Sequence, residues 1–124
     1  MKFQTATRFA FGVFAGTLFA LTHWPRLAIR VDIERPDLIV HLVAFAMWVV
    51  LGIAAAPFGQ RLSLRNINTM ALIGLCYAPV DELSQGIPGL GRTVGIDDLV
   101  ANCGGIIVGW SICLVLRKVR RVSE

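Results

Sequence analysis

The charged residues of this chain are segregated: Asp, Glu, Lys and Arg crowd the intervals between four long apolar stretches and are nearly absent within them. A helix at the surface of a soluble protein would instead carry such residues along one face throughout its length. Segments that are apolar all round are suited to lipid. Composition agrees, since 56% of the 124 residues are apolar and only 16% charged, against about 45–50% apolar in an ordinary soluble domain. The expected fold is all-α: a four-transmembrane-helix bundle forming one domain over residues 1–124.

The four expected spans are 9–24, 38–58, 67–85 and 96–116. The first has Gly12 and Gly16 four apart and ends at Trp24-Pro25, where an aromatic ring suits the membrane interface. Lys2 and Arg8 also resemble the basic start of a signal peptide, but no small-x-small cleavage site precedes His23, so a retained helix is expected. The second span has 21 residues, which at about 1.5 Å each just cover a hydrocarbon core of about 30 Å. Pro36 opens it, and Pro57 with Gly59 closes it. The third stays apolar to Tyr77 and then carries Pro79, Asp81, Glu82 and Gln85; Pro79 is expected to kink it. The fourth begins with Asp97, Asp98 and Asn102 and is expected to stop at the basic run from Arg117.

Cytoplasmic loops carry the excess of Lys and Arg. Lys2, Arg8, Arg61, Arg65, Arg117, Lys118, Arg120 and Arg121 fall on one side of a four-span chain, and Arg26, Arg30, Arg35 and Arg92 on the other. Both termini are therefore expected to be cytoplasmic. The net charge of +4 does not point to nucleic acid, because the basic residues flank apolar segments and form no stripe beside stacking aromatics. Cys76, Cys103 and Cys113 lie within apolar stretches, and an odd number cannot pair completely, so no structural disulfide is expected.

That topology carries three polar groups to the outer face. Asp37/His41, Asp81/Gln85 and Asp98/Asn102 are each four apart, so each pair occupies one face of its helix. Ionisable groups in a span normally face the bundle interior or a water-filled cavity, and the three stripes could share one. The loop over them, Gly86 to Gly95, is short, rich in Gly and Pro, and holds one cation, Arg92. Arg92 suits a phosphate or carboxylate on a ligand, or an internal acid. A purely structural role is the competing reading: Asp97 and Asp98 favour the positive end of a helix dipole, and Asn102 can bond across helices. Gly105 and Gly109 form a small-xxx-small pair that suits close helix packing and, if left open, association with a second copy.

Taken in order, Asp37-x-x-x-His41, Asp81-Glu82-Leu83-x-Gln85, Arg92 followed six later by Asp98, then Asn102, Gly105 and Gly109 resemble the VanZ-like family of small bacterial membrane proteins. The resemblance covers residues 36–110. Leu38 and Leu42 stand where the family often has Lys and Phe, and Phe45 where it commonly has Tyr. The resemblance implies a multi-pass protein of the inner (cytoplasmic) membrane acting at the cell envelope, in a family named for a member associated with resistance to teicoplanin, a lipid-tailed glycopeptide.

Three functions are open to such a chain. In the first, Asp37, Asp81, Gln85, Arg92, Asp97 and Asn102 bind the head group of a membrane lipid or lipid-linked envelope precursor, with no cofactor. In the second, a hydrolase or a phosphoryl or acyl transferase uses His41, Glu82 and Asp98 as acid, base or metal ligands, with Arg92 stabilising negative charge. Ser84, the one nearby hydroxyl nucleophile, points away from the Asp81/Gln85 stripe. In the third, an ion-coupled transporter relays protons through these groups.

Overall fold

The computed structural model describes residues 2–24 and 35–123, which form four α-helices and no strand: α1 (Lys2–Thr22), α2 (Pro36–Ala55), α3 (Leu64–Gln85) and α4 (Ile96–Val122). Arg26 and Arg30, counted above for the first loop, lie outside the described residues. Three helices, α1, α2 and α4, are long and apolar enough to cross a membrane. The polar end of α3 sets it apart from them in composition.

Local chemistry decides where each helix starts and stops. Pro36 enters α2 in its first turn, where its missing N–H removes no helical bond. Ala56, at φ 51°, turns the chain left-handed before Pro57, so α2 ends at Ala55 and not at 58. Ser63 caps α3, its Oγ accepting from the Asn66 amide at 3.2 Å, and thereby starts the helix three residues before the apolar run. The helix then runs through Pro79 to Gln85. Asp97 and Asp98 occupy the first turn of α4, and Arg120 and Arg121 its last, both favourable to the helix dipole.

Besides α3, two helices are longer than expected. Apolar composition locates the lipid-facing segment, whereas the helix persists until something breaks it. Thus α1 begins at Lys2, not 9, with Arg8 Nε bonding the Ala55 carbonyl at 3.2 Å. Helix α4 passes through the basic run to Val122, because Arg and Lys are good helix formers. Its 27 residues span about 40 Å, more than the hydrocarbon core requires.

Helix α2 is the hub, packing on each of the other three, most extensively on α4. Its buried face supplies Phe45, Trp48, Val49 and Ile53, which meet Ile67, Met70 and Ala78 of α3 and Ile106 and Cys113 of α4. Phe11 of α1 meets Trp48 edge-on at 5.2 Å, and Trp48 stacks on Tyr77 at 5.6 Å. Many large apolar side chains point outward, among them Phe9, Leu72, Val80, Ile107 and Val115. Asn66, Asp81, Glu82, Gln85 and Asn102 are buried, the polarity expected where lipid replaces water. All three thiols are free.

The α2–α4 contact is made backbone to backbone. A Cβ at Gly105 would fall on the Leu42 carbonyl oxygen, and one at Gly109 would lie 2.6 Å from that of Ala46. The glycine face considered above for a second copy is therefore occupied by α2 of the same chain, and self-association through it would require displacing α2. Gly104, one residue earlier, has nothing nearer than a Leu42 methyl at 3.9 Å. We predict that Gly105→Ala lowers the thermal unfolding midpoint in detergent by the equivalent of about 1–3 kcal/mol, while Gly104→Ala leaves it unchanged or raises it slightly. Equal effects from the two would show that the close approach is unimportant to stability.

Candidate functional site

The polar residues near the ends of α2 and α3 and the start of α4 form two connected clusters and an exposed rim. The first cluster centres on Asp81, which is fully buried. Its Oδ1 accepts from Tyr77 OH at 2.9 Å and from Thr22 Oγ1 at 3.1 Å, and its Oδ2 from Gln85 Nε2 at 3.2 Å. Three donors onto one carboxyl repay much of the cost of burying it. The other end of Gln85 accepts from Arg92 Nε at 3.1 Å. The amide thus bridges the Asp81 carboxyl to the loop cation.

The second cluster joins α2 to α4. His41 Nδ1 lies 2.9 Å from Asn102 Oδ1, so that nitrogen carries the proton and Nε2 is turned toward Asp98 Oδ2 at 3.9 Å. Glu82 Oε1 accepts from the Gly95 amide at 2.6 Å, tying the end of α3 to the start of α4. Three further atoms are buried without a hydrogen-bond partner among the described residues: Glu82 Oε2, Asp98 Oδ1 and Asn102 Nδ2. Two of these are acceptors and one is a donor, groups that a hydroxyl or ordered water can satisfy.

At the rim, Arg35 pairs with Asp97 at 3.1 Å and Asp37 at 3.6 Å. The hydrogen bond that Arg35 donates to Asp97, with the charge of Asp37 adding to it, raises the pKa of this exposed guanidinium above its ordinary value. Asp97 is thus outside the buried clusters. Asp37 belongs to both rim and interior, because it also lines the groove described next.

That groove, of about 500 Å³, runs between α1 and α2. Phe14, Leu18, Leu21, Val40, Ala44 and Met47 form apolar walls, and Thr17, Thr22, Asp37, His41 and Arg92 are the polar lining. The single cavity expected to take all three stripes is therefore divided. Asp37, His41 and Arg92 reach the groove, whereas Asp81, Glu82, Gln85, Asp98 and Asn102 are absent from its lining. Among the described residues, no three His, Cys, Asp or Glu side chains converge as metal ligands.

Sequence reading missed Thr22, His23 and Tyr77. Tyr77 is four residues before Asp81, a helical spacing that could have found it; its ring also lies 6.0 Å from that of Phe45. Thr22 and His23 gave no such signal, since α1 meets α3 only by folding. His23 Nε2 is 2.8 Å from Ser84 Oγ, which in turn bonds the Asp81 carbonyl. Ser84 is thus held by structure and not poised beside the carboxylates.

This constellation can be compared with known proteins. The VanZ/LLP1 family model matches residues 3–117, nearly the whole chain. The chain belongs to the VanZ/LLP1 family. The match extends well beyond the 36–110 motif region, taking in α1 with Thr22 and the part of α4 beyond the glycines. No curated protein and no solved structure matches it.

Within this VanZ/LLP1 protein, Asp81 is the group whose removal should be felt most. We predict that Asp81→Ala, which strands three donors, reduces the yield of folded protein sharply. Tyr77→Phe, which removes one donor and leaves two, should cost about 1 kcal/mol. Thermal melts in detergent would measure both, and equal effects would remove Asp81 from the centre of the network.

Proposed function

We propose that this VanZ/LLP1 protein works in the cell-envelope membrane by holding the polar head of a lipid or lipid-linked precursor at Arg92, Asp37 and His41, with the lipid's chain between α1 and α2. The observation that carries this reading is the groove, whose walls are apolar and whose polar lining is a cation, a carboxylate, an imidazole and two threonine hydroxyls. Arg92 uses Nε on Gln85, while its two terminal nitrogens have no partner among the described residues. Those nitrogens match two oxygens of a phosphate or carboxylate. Asp37 and His41 suit hydroxyl or amide groups on the same head. The family's association with a lipid-tailed glycopeptide fits an amphiphile as ligand.

In this reading α3 is a fourth crossing, made tolerable by helices that cover its polar end, and both termini face the cytoplasm. The reading makes a definite prediction for reporter fusions. One placed after Gln60 should report the cytoplasm, and one after Gly91 the opposite side. A cytoplasmic signal after Gly91 would remove the outer-facing site.

A second reading is favoured by the His41 geometry alone. Its Nδ1 is oriented by Asn102 and its Nε2 is directed toward Asp98, an arrangement suited to a general base. His41→Ala would then abolish turnover of an envelope lipid while leaving its binding within a fewfold.

Native mass spectrometry of the protein extracted gently from its membrane tests the main reading. A co-purifying envelope lipid should be present, and Arg92→Ala should deplete it at least about tenfold, with a loss of stability no larger than the about 1–3 kcal/mol expected for leaving the buried Gln85 oxygen unpaired. Unchanged lipid in the variant, or none in either protein, would leave the polar clusters with a purely structural role.

A further inference from the structure

At the end of the bundle opposite the polar clusters lies a cavity of about 990 Å³, to which Arg61, Arg117, Arg120 and Arg121 all contribute. Its lining also includes Ser63 and Gln4, and no carboxylate. Asp37, Asp81, Glu82, Asp97 and Asp98, the described acidic residues, all belong to the other end. Bias in loop charge accounts for the number of cations here, but not for their arrangement around a hollow.

Two of the arginines are held in place. The Arg61 guanidinium sits over the Phe3 ring, 4.2 Å from its centroid, and Arg117 Nη1 donates to the Leu62 carbonyl. These contacts spend part of the side-chain entropy before any ligand arrives, which favours binding. The 22-residue helix α3 begins at the cavity wall, where Ser63 and Leu64 line it, while α2 and α4 end beside it at Ala56 and Arg120, so the helix dipoles offset one another and the arginines set the field. Leu64 and Leu116 are exposed near the same end. A cationic hollow at a membrane face, beside apolar side chains, matches a phosphate that carries acyl chains.

We infer that this cavity binds the phosphate of an anionic phospholipid in the leaflet facing the basic end of the bundle, with Arg61, Arg117 and Arg121 as its ligands. The site is separate from the Arg92 groove and stands whether or not that groove binds a head group. Inorganic phosphate carries at least as much charge but no chains, so it would not be retained against the lipid.

The test uses the full chain in bicelles containing phosphatidylcholine and phosphatidylglycerol in equal amounts, read by native mass spectrometry. Phosphatidylglycerol should be retained preferentially. The double variant Arg61→Gln/Arg121→Gln, which leaves the Arg117–Leu62 bond intact, should lower its retention on the order of tenfold at an unchanged melting midpoint in phosphatidylcholine alone. Arg92→Ala should leave unchanged the share of the retention that the double variant removes. Should the double variant melt early, Arg121→Gln alone takes its place in the comparison: Arg121 is exposed in the last turn of α4, and its loss should still lower the retention severalfold, unchanged retention counting against the inference. Equal retention of the two lipids, phosphatidylglycerol retention unaffected by both substitutions, or displacement by an equal concentration of inorganic phosphate would each overturn the inference.

Discussion

The close approach of α4 to α2 is the constraint from which the rest of the structure follows. Gly105 and Gly109 let the backbones meet at Leu42 and Ala46, and in a lipid environment, where burying apolar surface gains little, such packing is a principal source of helix association. It also sets the register between the two helices. His41, adjacent to Leu42, is brought level with Asn102, one turn before Gly105, and with Asp98 one turn earlier still. A larger residue at either glycine would separate the helices and break the polar contact with the apolar one.

Helix α3 shows the complementary constraint. It carries two carboxyls and a glutamine in its last turn, which makes it the least suited of the four to face lipid alone. Those groups are satisfied by the other elements: Thr22 from α1, the Gly95 amide at the start of α4, and Arg92 from the connecting loop. The polar end of α3 thus depends on the bundle being assembled, and the bundle gains from it a network that specifies one arrangement. The same network fixes the base of the loop that presents Arg92 to the groove.

The two ends of the molecule are opposite in charge. Buried carboxyls and an imidazole, with Arg92 bonded to Gln85 and Arg35 paired with Asp37 and Asp97 at the rim, occupy one end. Arginines around an open cavity occupy the other. Between them lies a core of Phe45, Trp48, Val49, Ile67 and Ile106 that, among the described residues, holds no Asp, Glu, Lys, Arg or His. The separation is suited to a protein that meets different chemistry on each face.

Much of this was legible in the residues themselves. The segregation of charge, the capping signals and the four-residue spacings gave the helices, their number and the pairing of Asp81 with Gln85, because each depends on neighbours within about one turn of chain. Helix ends were less legible, since apolar runs mark where lipid is met, whereas α4 persists into its basic tail until its backbone is released. Tertiary structure alone decided the distribution of the polar groups. It separated Asp97 onto the rim with Arg35, sent Glu82 toward Gly95, brought Thr22 and His23 to α3, and kept the groove to Asp37, His41 and Arg92. These outcomes depend on how far each helix is rotated and shifted against its neighbours, and that is determined by packing between residues distant in the chain, which no local pattern encodes.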